Sequence, residues 1–142
     1  MSASGREEGD DLLISDVKEN TMSTQQDARR KTPEEVVQQQ VEAYNKRDIE
    51  AFLATYSPHV EITEHLGAEV SIRGHHAMRG IWGPFFEDSP ALYCTITNRM
   101  VLGNFVVDSE AVTGLADGDV FHAIAIYEVH DGAIQKVWLI GS

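Results

Sequence analysis

The stretch 48–65, DIEAFLATYSPHVEITEH, decides the fold, because it predicts a short helix that runs directly into a β-strand. Residues 59–65 alternate with period two, so that Val60, Ile62 and Glu64 point to one face and their neighbours point to the other. The two apolar residues mark their face as the buried one. This pattern predicts a carboxylate on an apolar wall.

A carboxylate that is buried lowers stability unless it is paired or has a chemical task. We therefore predict that Glu64 is a general base in an apolar pocket, with its pKa raised by desolvation. The alternative is a strand-end carboxylate that reaches solvent or pairs with Arg73.

Before this stretch, a first helix is predicted from Thr32 to about Lys46. Thr32-Pro33-Glu34-Glu35 has the pattern of a capping box with proline at the first helical position. The inner stripe of this helix carries Gln40 and Tyr44. Both side chains are candidates to contact a ligand, and the alternative is a core tyrosine with a satisfied hydroxyl.

Two further helices carry aromatic residues at helical spacing. The short helix in the opening stretch presents Phe52 on its inner face. Residues 75–87 predict a third helix, in which Trp82 and Phe86 lie one turn apart. Two interpretations of this pair stand: it forms a wall that contacts a ligand, or it belongs to ordinary core packing.

The rest of the chain predicts four strands, at residues 92–102, 105–113, 120–130 and 133–140, with Gly103-Asn104 and Asp131-Gly132 as hairpin turns. Three helices followed by an antiparallel meander indicate an α+β fold. We predict a cone-shaped α+β barrel, with three N-terminal helices packed on a curved antiparallel sheet. The open end of such a cone is a natural site for a small apolar molecule.

The third of these four strands has a face that suits a cavity wall. Tyr127 shares its parity with Phe121, Ala123 and Ala125, and two small residues on one face leave room for a ligand. Tyr127 and Ala125 are therefore candidate ligand-binding residues.

Composition sets limits on partners and location. The chain has 142 residues, one cysteine and a net charge of −12, and it contains no apolar run near the ~20 residues that span a bilayer. Strong negative charge disfavours nucleic acid and anionic membranes. With no internal disulfide and no secretory signal at the N-terminus, a cytoplasmic location is predicted.

The polar N-terminus separates from the rest of the chain. We predict that residues 1–31 are a disordered or loosely ordered tail and that residues 32–142 form the domain. Met22 would itself make a plausible start, and a short helix at 11–17 is the alternative within the tail.

Three runs of sequence resemble the nuclear transport factor 2-like superfamily, and within it the SnoaL-like and ketosteroid-isomerase-like group. They are VVQQQVEAYNKRDIEAFLATYSPHVEITE (36–64), RGHHAMRGIW (73–82) and AIYEVHDGAIQKVW (125–138). In ketosteroid isomerases, an acidic base lies on the first strand and two acids form an oxyanion hole. The resemblance aligns Glu64 with the base, while Gln40 and the vicinity of Ala125 fall where the two acids lie.

The resemblance implies a cofactor-independent isomerase, lyase or hydrolase, with Glu64 as base and Gln40 or Tyr44 steadying an oxyanion. The alternative is a non-catalytic ligand-binding or dimerisation module of the same fold. No metal is predicted, because His and Cys lack ligand spacing. A homodimer is expected through the outer sheet face, which should carry Thr95, Thr97, Val101, His122, Ile124 and Ile126.

Overall fold

The computed structural model describes residues 31–141. The tail predicted for residues 1–31, with its alternative start and helix, lies outside the described residues except for its last one. The described part contains helices α1 (Pro33–Lys46), α2 (Ile49–Ala54) and α3 (Gly74–Asp88), and strands β1 (Tyr56–Thr63), β2 (Ile72–Arg73), β3 (Tyr93–Leu102), β4 (Phe105–Thr113), β5 (Phe121–His130) and β6 (Ala133–Gly141).

The predicted fold class is confirmed. The six strands form one sheet in the order β2-β1-β6-β5-β4-β3, and the helices pack on one face of it. All neighbouring strands are antiparallel except β1 and β6, which are parallel. This parallel contact places the first strand of the chain beside the last. No helix among residues 31–141 is long and apolar enough to cross a membrane.

Helix α1 is held at both ends. Thr32 and Glu35 form the predicted capping box, with bonds of 2.8 and 3.1 Å between each side chain and the other residue's backbone N–H. Near the C-terminus, the Asn45 amide donates to the Cys94 carbonyl at 3.0 Å and accepts from the Cys94 N–H at 2.7 Å. Because these bonds tie α1 to β3, the stripe with Gln40 faces the sheet.

Strand β1 begins and ends earlier than the sequence pattern predicts. Helix α2 closes at Thr55, whose hydroxyl donates to the Phe52 carbonyl at 2.7 Å, so Tyr56 already belongs to the strand. The last partner of β1 in β6 is Trp138, which lies opposite Thr63. Glu64 follows the strand, where no ladder fixes the alternation, and it is exposed. The predicted burial of Glu64 is therefore wrong.

A β-bulge at Thr97 reverses the parity of β3. Ile96 lies opposite Glu110 and Asn98 lies opposite Ser109, which leaves Thr97 as the extra residue. Beyond the bulge, Val101 pairs with the fully buried Val106, so Val101 is on the inner side and the prediction that it faces outward is wrong. The same change of parity turns Arg99 toward the interior.

Candidate functional site

A cavity of about 580 Å³ lies between the three helices and the inner face of the sheet, a size typical of small-molecule sites. Most of its wall is apolar, and its few polar side chains come from α1, the end of β1, β3, β4 and β5. The lining residues are Gln40, Val41, Tyr44, Phe52, Tyr56, Ile62, Glu64, His65, Trp82, Phe85, Cys94, Glu110, Val112, Leu115, Phe121, Ala123, Tyr127, Val137, Leu139, Ile140 and Gly141.

Aromatic rings form much of this wall. The Phe52 ring, which is almost fully buried, lies with its centroid 5.1 Å from Tyr56, 5.8 Å from Trp82 and 6.0 Å from Tyr44. Tilted pairs at these distances add stabilisation beyond their buried area. The rings therefore support one another and form a rigid apolar surface.

Six of the sequence-predicted site residues line the cavity. They are Gln40, Tyr44, Phe52, Glu64, Trp82 and Tyr127. Gln40 and Tyr127 are buried at its inner end, whereas Glu64 and its neighbour His65 are exposed and mark the mouth. The alternative prediction, an ion pair between Glu64 and Arg73, is not seen among the described contacts. Arg73 pairs with Glu61 on the adjoining strand instead.

The structure places two predicted residues in the core instead. Phe86 is 4% exposed and packs edge-on against Phe52, with their ring centroids 5.3 Å apart. Phe85, three residues after Trp82, lines the cavity in its place. Ala125 is fully buried opposite Asp108 in the β4–β5 register, so its small side chain adjoins that carboxylate and not the cavity.

Sequence reasoning missed a half-buried carboxylate, Glu110, that lines the cavity. In β4, Val106, Asp108, Glu110 and Val112 share the inner parity, and Glu110 lines the cavity. Period-two alternation in FVVDSEAVT (105–113) was the available signal, because it groups two carboxylates with two valines. The β-ladder extends along the whole length of β4, so that alternation predicts the orientation of Glu110 correctly, whereas it fails for Glu64 beyond the end of β1.

Burial in this apolar environment changes the acidity of Glu110. Desolvation, reinforced by the nearby Asp108 charge, raises the pKa of Glu110 to about 7. A hydrogen bond from the Tyr127 hydroxyl, at 3.3 Å, and the charge of Arg99 act in the opposite direction. A carboxyl with such a pKa can both accept and donate a proton at neutral pH, as general acid–base catalysis requires.

Three tyrosine hydroxyls accompany Glu110. Burial raises the pKa of Tyr44, Tyr56 and Tyr127, and the nearby Glu110 charge contributes in each case. Their phenols therefore keep their protons at neutral pH and can serve as hydrogen-bond donors. Tyr127 also lies 3.4 Å from the Gln40 amide oxygen, so one hydroxyl connects α1 with Glu110. Burial likewise raises the pKa of Cys94 to about 12, which favours a protonated thiol.

An ion pair lies beside the cavity on the same strand. Asp108 is fully buried and accepts two bonds from Arg99, at 2.6 Å to Nε and 2.9 Å to a terminal nitrogen. The remaining terminal nitrogen of Arg99 donates to the Gln38 amide oxygen at 3.0 Å. The pair is bidentate, the geometry that makes arginine–carboxylate bonds strong and specific.

Within residues 31–141, no cluster of three or more His, Cys, Asp or Glu side chains could hold a metal ion. In this same part of the chain, no lysine or arginine lines the cavity. The polar chemistry offered by the described residues is that of one carboxyl, an amide, a thiol and phenols, with Glu64 and His65 at the mouth.

The chain has the fold of a solved protein described as nuclear transport factor 2-like, in which helices pack on a curved sheet. More narrowly, the chain belongs to the SnoaL-like domain family, whose model matches residues 37–137. No match was found among curated proteins.

Solved structures with the same fold are distant in sequence. A cystatin-fold protein from Novosphingobium aromaticivorans is 21% identical, with a TM-score of 0.69 over 78% of this chain and 98% of that chain. IdmH, a candidate polyketide cyclase from Streptomyces antibioticus, is 19% identical, with a TM-score of 0.67 over 79% of this chain and 93% of that chain. AclR from Streptomyces galilaeus, a candidate hydroxylase, is 15% identical, with a TM-score of 0.66 over 78% of each chain.

Proposed function

We propose that the cavity binds a small apolar molecule bearing a carbonyl group and that Glu110 transfers a proton on it. The observation that carries this proposal is the Glu110 carboxyl in an aromatic-lined cavity, with a pKa raised to about 7 and no cation paired to it among the described contacts. The protein would then be a cofactor-independent isomerase, lyase or hydrolase. Ring closure can start from the same removal of a proton next to a carbonyl. The candidate polyketide cyclases of the same fold support this class by analogy.

The proposed step starts from ionised Glu110. Its carboxylate takes a proton from the carbon next to the substrate carbonyl; the electron pair of the C–H bond forms a carbon–carbon double bond, and the π pair of the carbonyl moves onto its oxygen. Phenol hydroxyls of Tyr44 or Tyr56, or the Gln40 amide, donate hydrogen bonds to the resulting oxyanion. Protonated Glu110 then returns the proton elsewhere on the substrate or to its leaving group, which restores the starting carboxylate.

The charge of the site favours a ligand that is uncharged where it meets Glu110. Among the described residues, two carboxyl groups, Glu64 and Glu110, line the cavity, and no lysine or arginine does so. Phosphate or carboxylate groups would enter without an opposite charge to bind. Glu64 at the mouth remains a second candidate base, supported by the family resemblance and by its place on the cavity lining.

Titration of the side-chain carboxyl carbons by NMR tests the acid–base role directly. We expect the Glu110 carbon to titrate near pH 7, well above the reference value of about 4.3. This titration should be absent from the spectra of Glu110→Gln, which would assign the titrating signal to Glu110. A Glu110 titration at the reference value would mean a solvated carboxylate and would remove the basis of the proposal.

A non-catalytic binding module is the second candidate function. Gln40, an amide, stands at the position where the resemblance aligns an oxyanion acid, which favours binding without turnover. Under this function, a ligand would bind the wild type and the Glu110→Gln variant alike, and a panel of enolisable ketones, lactones and epoxides would show no turnover with either.

We also propose that the chain forms a homodimer through the outer face of the sheet, in the cytoplasm. Ile124 lies on this face, since its neighbour Ala125 is fully buried on the other, and it is 41% exposed; Met100 beyond the bulge is 61% exposed. Apolar side chains so exposed on one sheet face favour contact with a second protein surface. A C2 dimer would place Ile124 near the same patch of its partner.

Replacing Ile124 by Glu is expected to convert the dimer to a monomer at micromolar concentration, because the charge would be buried without a partner. Light scattering measures the mass. The matched control is Ile81→Glu, since Ile81 is similarly exposed but lies on α3 and not on the sheet. A wild-type protein that is monomeric, or a dimer that both variants keep, would contradict the proposed interface.

A further inference from the structure

Two carboxylates share the inner face of β4, but only one of them has a cation among the described contacts. Asp108 lies opposite Arg99 in the β3–β4 register and accepts both of its bonds at 2.6 and 2.9 Å. Glu110 lies opposite Ile96, two residues further along, and its described hydrogen bond comes from a neutral phenol. The two carboxylates therefore have very different surroundings despite sharing one strand face.

Arg99 is positioned to reach either carboxylate. Diagonal neighbours on one sheet face lie about 7–8 Å apart, within reach of a long side chain. The Arg99 side chain is 14% exposed, and the bulge at Thr97 turns it inward toward β4. Its charge already acts on Glu110 and lowers the pKa of that carboxyl.

We propose that Asp108 is a positioning residue for the cavity: by occupying Arg99 in a bidentate pair, it keeps the guanidinium from pairing with Glu110. This inference rests on the proposed function, in which Glu110 must gain and lose a proton near neutral pH. An ion pair between Arg99 and Glu110 would hold the carboxylate in its charged form and remove it from proton transfer.

Other features of the pair fit this role. Asp108 is fully buried, and Ala125 opposite it has a side chain small enough to adjoin the ion pair. Gln38 from α1 accepts a bond from the third nitrogen of Arg99, so the guanidinium is held from two elements. The groups that face Glu110 from α1, β1, β3, β4 and β5 are Tyr44, Tyr56, Cys94, Arg99, Asp108 and Tyr127, and Arg99 is the cation among them.

The test is the titration of Glu110 in three full-length proteins: wild type, Asp108→Asn, and the double variant Asp108→Asn with Arg99→Gln. In the single variant, Arg99 loses its carboxylate and turns to Glu110, whose pKa should fall by about one to three pH units. In the double variant no guanidinium remains, so the Glu110 pKa should rise well above its value in the single variant; it should stay below the wild-type value of about 7, because the Asp108 charge that helps to raise it is also absent.

A Glu110 pKa that stays at the wild-type value in Asp108→Asn would show that Asp108 only stabilises the fold. An equal fall in the single and double variants would show that Arg99 plays no part. If Asp108→Asn does not fold, Asp108→Leu takes its place in the titration; the same fall in the Glu110 pKa is expected, and a pKa unchanged from wild type would overturn the proposal.

This readout is independent of turnover. If the wild type converts no substrate, the proposed function fails while the Glu110 titration still reports on Asp108. If turnover is found and the pKa does not respond to Asp108→Asn, the positioning role fails while the proposed function stands.

Discussion

Replacing Glu110 by Gln is expected to lower kcat/KM for proton transfer by roughly 10²- to 10⁴-fold, the contribution typical of a general acid–base group. The amide keeps the shape of the side chain but cannot take up a proton. Because Glu110 acts as a base in its ionised form, wild-type kcat/KM should rise with pH and level off above about 7, where burial places its pKa. The measurement is the pH–rate profile on whichever enolisable ketone, lactone or epoxide is converted.

Glu64→Gln is the matched control for this prediction. Glu64 lines the same cavity but is exposed at its mouth, so its amide variant should keep the wild-type rate and profile. Circular dichroism would confirm that both variants fold. The reverse result, loss of turnover in Glu64→Gln and retention in Glu110→Gln, would assign the base to Glu64 and refute the role proposed for Glu110.

Replacing Arg99 by Met is expected to lower the free energy of unfolding by about 3–5 kcal/mol, as breaking a buried ion pair usually does. Asp108 is fully buried, and both of its described bonds come from Arg99. Without the guanidinium the carboxylate stays buried and unpaired, or must take up a proton in order to fold. Urea denaturation of the wild type and the variant at pH 7 measures the difference.

A double variant separates the buried charge from the lost packing. Arg99→Met combined with Asp108→Leu removes both charges, and much of the stability should return, because well-packed apolar side chains can replace a buried ion pair. A double variant as unstable as the single one would attribute the loss to packing of the Arg99 side chain. An Arg99→Met variant as stable as the wild type would contradict the importance of the pair.

The choice between Glu64 and Glu110 as the carboxylate inside the cavity depends on where the strands end. The alternation that placed Glu64 beside Val60 and Ile62 is correct as far as Thr63, where pairing with β6 stops. One residue later the chain leaves the sheet, and Glu64 turns to the mouth of the cavity. The sequence contains no signal for this boundary, because β1 leaves the sheet after Thr63 although its partner strand β6 continues to Gly141.

Local sequence determined the elements of this protein. The capping box at Thr32, the alternation in the four long strands and the turns at Gly103-Asn104 and Asp131-Gly132 predicted the helices and the meander, because caps, period and turn conformation depend on neighbouring residues. The inner parity of Tyr127 followed from the same alternation and is confirmed by its burial. The family resemblance followed from these same stretches.

Only the tertiary structure decided how those elements meet. The parallel pairing of β1 with β6, the bulge at Thr97 and the pairing of Arg99 with Asp108 join residues far apart in the chain, and no local pattern encodes such contacts. They also decide the chemistry of the site. Asp108 and Glu110 lie on the same face of one strand, but contact with Arg99 holds the first as an ion pair, while an apolar cavity surrounds the second and raises its pKa.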